Sequence, residues 1–133
     1  MKLFDKLVKK FGSTQKNERV RSHLEFRRML SMECARADRS KVFFSFIVLD
    51  VSTVDNMRFM DDLLTYIDSR IRMSDIVGWL SDKEIGVILP ETDFDSAMAI
   101  AQTITNHFNH TQQAPPSLVY RYPSSQWPFE TDV

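Results

Sequence analysis

Few residues in this chain have the type and spacing to do chemistry, and the clearest pair is in Arg72-Met73-Ser74-Asp75. An Arg there can clamp a phosphate or stack on a base, and an Asp three residues on can accept hydrogen bonds from N–H groups. The same spacing suits a helix end, with a cation near the last carbonyls and a carboxylate in the following turn. Asp50 ends a strongly apolar run, where it has to be paired, hydrogen-bonded or open to water at a sheet edge. His107 and His110, at i and i+3, could share a metal ion, but no third ligand stands near them, and surface histidines are the simpler reading. Cys34, the single cysteine, has no Cys or His beside it and reads as a small buried apolar residue. No GxxxxGK[ST], GxSxG, HExxH or CxxC occurs.

The elements that must position these residues follow from hydrophobic spacing. Leu3, Phe4, Leu7, Val8 and Phe11 share one face of a short helix, with Lys2, Lys6, Lys9 and Lys10 largely off it. Something has to bury that face: a protein partner, a membrane surface or the chain's own domain. A polar linker, 13–19, follows. A second helix is expected over about Val20 to Asp38, with Leu24, Met29 or Leu30, Met32 and Ala35 at helical spacing. Residues 42–51, VFFSFIVLDV, predict a central strand buried on both faces. Met57, Met60, Leu63 or Leu64, Ile67 and Ile71 return to helical spacing, and Met57, Met60 and Met73 are expected in the core. VGWLS (77–81) and EIGVILP (84–90), joined at Asp82-Lys83, predict a β-hairpin. Thr92 or Asp93 can cap a helix running to about Phe108, and LVYRY (118–122) predicts a last strand. Trp127 and Phe129, in an irregular tail, either fold back on the domain or anchor a partner. The order is that of an α+β, ferredoxin-like β-α-β-β-α-β core with an antiparallel sheet, helices on one face and extra N-terminal helices. The expected organisation is a basic helix and linker at 1–19, a domain at 20–123 and a tail at 124–133.

Composition bounds the rest. With 133 residues, 43% hydrophobic and 26% charged, the chain has the size and balance of one soluble globular domain. A single cysteine excludes an internal disulfide framework and a Cys-based zinc cluster and favours a reducing cytoplasm. The apolar run 42–51 is too short to span a bilayer, and Lys9, Lys10 and Gly12 interrupt anything like a secretory leader. The net charge of −1 hides an asymmetry: residues 1–41 hold 12 Lys/Arg against 5 Asp/Glu (+7), and residues 42–133 hold 5 against 13 (−8). No basic-aromatic platform accompanies the arginines, so nucleic acid is set aside in favour of basic helices lying near an acidic domain.

In sequence order, FRRMLSMECARADRSKVFFSFIVLDV, DIVGWLSDKEIGVILPETD and SAMAIAQTI resemble the GGDEF family, the bacterial diguanylate cyclases, over about Phe26 to Phe108. The resemblance implies a nucleotide-cyclase-like fold and lays the signature pentapeptide over Ser81-Asp82-Lys83-Glu84-Ile85. It places Asp50 as one of two carboxylates that hold Mg²⁺ on triphosphate oxygens, with Lys83 in place of the other. Ser81 and Asp82 stand where glycines let a nucleotide approach, and Ser52 and Arg58 stand at an Asp and a guanine-reading Asn position. The stretch from Asp50 to Asp75 is shorter than the family's, as though one helix were missing. The expectation is therefore a vestigial active site at Asp50, Ser81, Asp82, Lys83 and Glu84, no cofactor or bound metal, no enzyme activity, and a Lys83–Asp50 ion pair. Arg72 and Asp75 match the family's Arg-x-x-Asp site for cyclic di-GMP, which makes that dinucleotide a candidate ligand. The shortened form is also similar to GGDEF-like modules in or beside some bacterial exopolysaccharide sugar transferases. That likeness implies a cytoplasmic regulatory or scaffold domain acting by protein–protein contact, on a membrane-bound polysaccharide enzyme among others. Leu3, Phe4, Leu7, Val8, Phe11, Trp127 and Phe129 are its candidate docking residues, and a membrane-peripheral position and a homodimer stay open. A cyclic-di-GMP receptor is the first alternative and an active cyclase the second.

Overall fold

The computed structural model describes residues 18–111 and 113–129. The elements are α1 (His23–Ser40), β1 (Phe44–Asp50), α2 (Met57–Arg70), β2 (Ile76–Ser81), β3 (Glu84–Pro90), α3 (Phe94–His107) and β4 (Ser117–Tyr122). The sheet runs β2-β3-β1-β4, antiparallel at every pairing, which is the order of the ferredoxin-like core. Each helix starts on a short polar cap. Ser22 Oγ accepts from the Glu25 N–H at 3.3 Å, Asn56 Oδ1 from Phe59 at 2.7 Å and Asp93 Oδ1 from Ser96 at 2.7 Å.

β1 is apolar apart from Ser45 and the terminal Asp50 because it feeds two cores. Ile47 and Leu49 meet Met60, Leu63 and Ile67 of α2 and Ala101 and Ile104 of α3 on one face. Phe44, Phe46 and Val48 meet Phe26, Leu30 and Cys34 of α1 on the other. Helices therefore lie on both faces, not one: α1 covers a face that the ferredoxin-like core leaves open. A pair of glycines seats it. Gly78 and Gly86 are cross-strand partners, and a Cβ at either would come within 2.6 Å or 2.7 Å of the Phe26 ring. Just before α1, the Arg21 N–H donates to Val77 O at 2.9 Å and the Trp79 N–H to Arg21 O at 3.1 Å, which pairs the β2 edge.

Two expectations from spacing change here. The buried stripe of α1 is Phe26, Leu30, Cys34 and Ala37, while Leu24, Met32 and Ala35 face water. Both stripes have helical spacing, and the larger aromatic, with a glycine pair to receive it, takes the inside. Met73 lies in the turn beyond α2 and is 92% exposed, so it is no core residue, whereas Met57 and Met60 are buried. No helix among the described residues is long and apolar enough to cross a membrane.

Candidate functional site

At one end of the sheet, Asp50 and Glu84 are partners in register, the last residue of β1 facing the first of β3. The Asp50 side chain is open to water, and its Oδ1 accepts from the Ser52 N–H at 2.9 Å, which shapes the turn after the strand. The Asp50 N–H donates to Pro116 O and the Val51 N–H to Lys83 O, both at 2.9 Å, so the strand end is held by backbone from two sides. In the hairpin, Ser81 Oγ donates to Glu84 Oε1 at 2.8 Å and accepts from the Lys83 N–H at 3.2 Å, around the turn Asp82-Lys83. The expected Lys83–Asp50 ion pair is absent among the described residues. The Lys83 carbonyl meets the strand end and its exposed side chain stands in water, where pairing gains little. Asp50 and Glu84 are two oxygen-bearing side chains that a divalent cation could use there. No group of three or more His, Cys, Asp or Glu that could hold a metal ion occurs among the described residues.

Arg72 and Asp75 do come together, and they satisfy each other. The Asp75 side chain is only 2% exposed. Its Oδ2 accepts from the Arg72 backbone N–H at 2.6 Å and from Nε at 3.4 Å, and its Oδ1 accepts from Nη2 at 3.0 Å. Arg72 Nη2 also donates to Pro90 O at 2.8 Å and to Thr92 Oγ1 at 2.7 Å. The guanidinium thus staples the turn after α2 to the end of β3. Arg19 closes the arrangement from outside, donating to the Arg72 carbonyl, to Asp75 O at 3.0 Å and, through Nη1, to Asp68 Oδ1 at 2.7 Å. Spacing gave no signal for Arg19 or Thr92, because each meets its partners only through the tertiary fold. Arg19 falls in a stretch that reads as a linker.

The remaining candidates separate. Burial, then the Asp38 and Glu33 carboxylates, push the Cys34 thiol up to about 12, which makes it an inert core group. His107 and His110 are exposed, and His107 stacks on Tyr66 at 3.7 Å between ring centres. Trp127 and Phe129 fold back. Trp127 lies 5.0 Å from Tyr122 and 5.5 Å from Phe44, and Phe129 lies 5.2 Å from Phe46 and 5.1 Å from Tyr120. They roof the part of the sheet that α1 leaves uncovered, so the structure uses them as core and not as free anchors. Leu3, Phe4, Leu7, Val8 and Phe11 lie outside the described residues.

No protein-family model and no curated protein matches this sequence. Solved structures are similar to it. A DGC protein from Thermotoga maritima is 21% identical, with a TM-score of 0.65 over 79% of this chain and 83% of that one. Diguanylate cyclase SiaD from Pseudomonas aeruginosa, in complex with its activator SiaC, is 15% identical, with a TM-score of 0.59 over 77% of this chain and 46% of that one. The GGDEF domain of DgcB from Caulobacter crescentus, in complex with c-di-GMP, is 13% identical, with a TM-score of 0.54 over 77% of this chain and 70% of that one. The expectation that the chain is no enzyme is corrected by these neighbours. They are diguanylate cyclases, so the fold is one that enzymes use. The sheet order, the flanking helices and these neighbours together give the chain the fold of a GGDEF diguanylate cyclase domain.

Proposed function

We propose that this GGDEF-fold chain is a regulatory module of cyclic-di-GMP signalling that acts by contact with a protein partner. One observation carries the reading. The outer face of α1 holds Leu24, 82% exposed, and Met32, 59% exposed, in one stripe with Arg28, Ala35 and Arg39. An apolar stripe laced with arginines suits an acidic, amphipathic surface on another protein. The activator bound to SiaD supports the idea that this fold accepts protein regulators. The resemblance to modules of exopolysaccharide sugar transferases makes a membrane-bound polysaccharide enzyme the partner class, met from the cytoplasm. Affinity capture from the source cell tests this with the wild-type chain and a Leu24→Glu/Met32→Glu double variant. The expected result is one polysaccharide-synthesis protein retained by the wild type and lost by the variant. Equal retention by both would move the contact off α1, and a second copy of this chain as the retained protein would make the face a homodimer interface.

A second reading has an observation of its own. Asp50 and Glu84 face each other at the exposed end of the sheet, an arrangement that suits Mg²⁺-assisted nucleotide chemistry. Conversion of GTP with Mg²⁺ that is lost in Asp50→Ala would establish it. The receptor reading through Arg72 and Asp75 draws less from the geometry, because a ligand's N–H groups would have to displace bonds that both Asp75 oxygens already accept.

A further inference from the structure

The two edges of the sheet are finished differently. On β2 the Arg21 backbone bonds to Val77 and Trp79, and the strand is buried from Val77 to Leu80. β4, at the other edge, has no fully buried residue. Its backbone phase is set by the bond from the Asp50 N–H to Pro116 O at 2.9 Å. Bonded pairs alternate along an antiparallel ladder, so Leu118, Tyr120 and Tyr122 bond to β1 through their partners Val48, Phe46 and Phe44. The N–H and C=O groups of Ser117, Val119 and Arg121 therefore point away from β1, along the outer edge, and no strand among the described residues pairs with them there. A groove of about 860 Å³ borders this edge. Val119, Tyr120 and Arg121 line it, with residues 93–96 at the start of α3 and residues 124–126 of the tail. We infer that the edge takes the β4 strand of a second copy of this chain, antiparallel about a two-fold axis at Val119, so that two sheets join into one. The contact uses the sheet edge opposite the one Arg21 closes, not the outer face of α1, and is independent of the partner reading.

The strand is complementary to itself. With the axis at Val119, each Val119 faces its counterpart and each Ser117 faces the other copy's Arg121. All of these are outward residues, so about six backbone hydrogen bonds form between the copies. The side chains match in the same register. Leu118, 61% exposed, comes opposite Tyr120 of the other copy, an aliphatic–aromatic cross-strand pair made twice by the symmetry. Tyr120 lines the groove, so each copy's exposed Leu118 fills space in the other. Charge selects this register over its neighbour. Arg121, the one charged residue of β4, meets a neutral serine, and the two arginines lie at opposite ends of the pairing. Moving the axis to Tyr120 would make them diagonal neighbours of like charge. Pro116 and Pro123 bracket the strand and have no N–H to give, which confines the pairing to this run. Agreement of backbone phase, side chains and charge across one axis is what a two-fold interface requires.

Analytical ultracentrifugation of the full chain, with hydrogen exchange over a concentration series, tests the inference. The expected mass rises from one chain to two with concentration. Amide exchange at Ser117, Val119 and Arg121 slows about tenfold or more as the dimer forms, while the Leu118 and Tyr120 amides, bonded to β1, are slow throughout. Leu118→Lys sets two lysines diagonally across the axis, and Arg121→Pro removes an outward N–H that β1 does not use. Each is expected to weaken association about tenfold or more with exchange in β1 and β3 unchanged. Leu24→Glu/Met32→Glu leaves the dimer intact. A chain that is monomeric at every concentration overturns the proposal, as does a dimer that either β4 variant leaves intact. Protection of the outward amides that ignores concentration overturns it by pointing to an intrachain cover. A dimer lost only in the α1 variant overturns it by placing the contact on α1.

Discussion

The Arg72 guanidinium is bound inside the chain, to Asp75, Pro90 O and Thr92 Oγ1, and this decides how mutations there read out. Arg72→Ala leaves a carboxylate that is 2% exposed without its charge-assisted partner, so it destabilises by about 1.5–3 kcal/mol in urea unfolding. A variant as stable as the wild type would show that the staple contributes nothing and that the pair is free for a ligand. Two further groups set an alkaline limit. The Cys34 thiol rises from 9.0 to about 12, chiefly by burial, and the Tyr122 hydroxyl rises from 10.0 to about 12, by burial and by the hydrogen bond it donates to Asp38. The folded chain therefore keeps both protons above the pH at which the unfolded chain releases them. Their stabilisation is full below pH 9 and is lost as the pH rises toward 12. Urea midpoints are expected to fall between pH 8 and pH 10.5; a flat or rising midpoint contradicts the assignment. Cys34 is expected to resist iodoacetamide at pH 8 until the protein is unfolded. At this scale the sequence announced residue types better than partners. Arg72 and Asp75 were legible as a pair, but Arg19, Pro90 and Thr92, which make the pair a staple, are far away in sequence.

Among the elements, α1 shows what spacing can and cannot settle. Its existence and the Ser22 side-chain cap follow local rules, yet it carries two helical stripes, and only the fold selects the inner one. The selecting feature is the glycine pair, 78 and 86, which opens the β2–β3 surface to Phe26. Gly86→Ala is expected to cost about 1–3 kcal/mol by overpacking, since its Cβ meets both Phe26 and Phe46. A neutral Gly86→Ala in urea unfolding would mean that α1 does not sit as described. The tail is an element without regular structure. Trp127 covers Phe44 and Tyr122, so Trp127→Ala is expected to lose about 2 kcal/mol and to speed amide exchange in β4. Unchanged exchange in β4 would return Trp127 to the role of a free anchor. The strands, by contrast, were read nearly to the residue. β1 feeds two cores and is apolar apart from Ser45 and the terminal Asp50, and the hairpin is bracketed by polar turn residues.

For the whole molecule, the order of elements sufficed to name the ferredoxin-like core, because few connections satisfy a four-stranded sheet with two crossing helices. What the order could not supply was the second face, where α1 and the aromatic tail share the cover. The site was legible in part. Asp50 and Glu84 fall opposite each other through the register of β1 on β3, two strands far apart in sequence, whereas the expected Lys83–Asp50 pair does not form because a turn tip points its side chain to water. Charge asymmetry is a molecular property too. The basic front of the chain places its arginines on the outer face of α1 and, through Arg19, on the acidic α2. The partner reading rests on that outer face. Site-specific photo-cross-linking in the source cell tests it directly, with the probe at position 32 on α1 and, for comparison, at position 99 on the exposed side of α3. The account predicts one protein adduct from position 32, none from position 99, and loss of the adduct when Arg28→Glu is added. No adduct from position 32, or equal adducts from both positions, would contradict it.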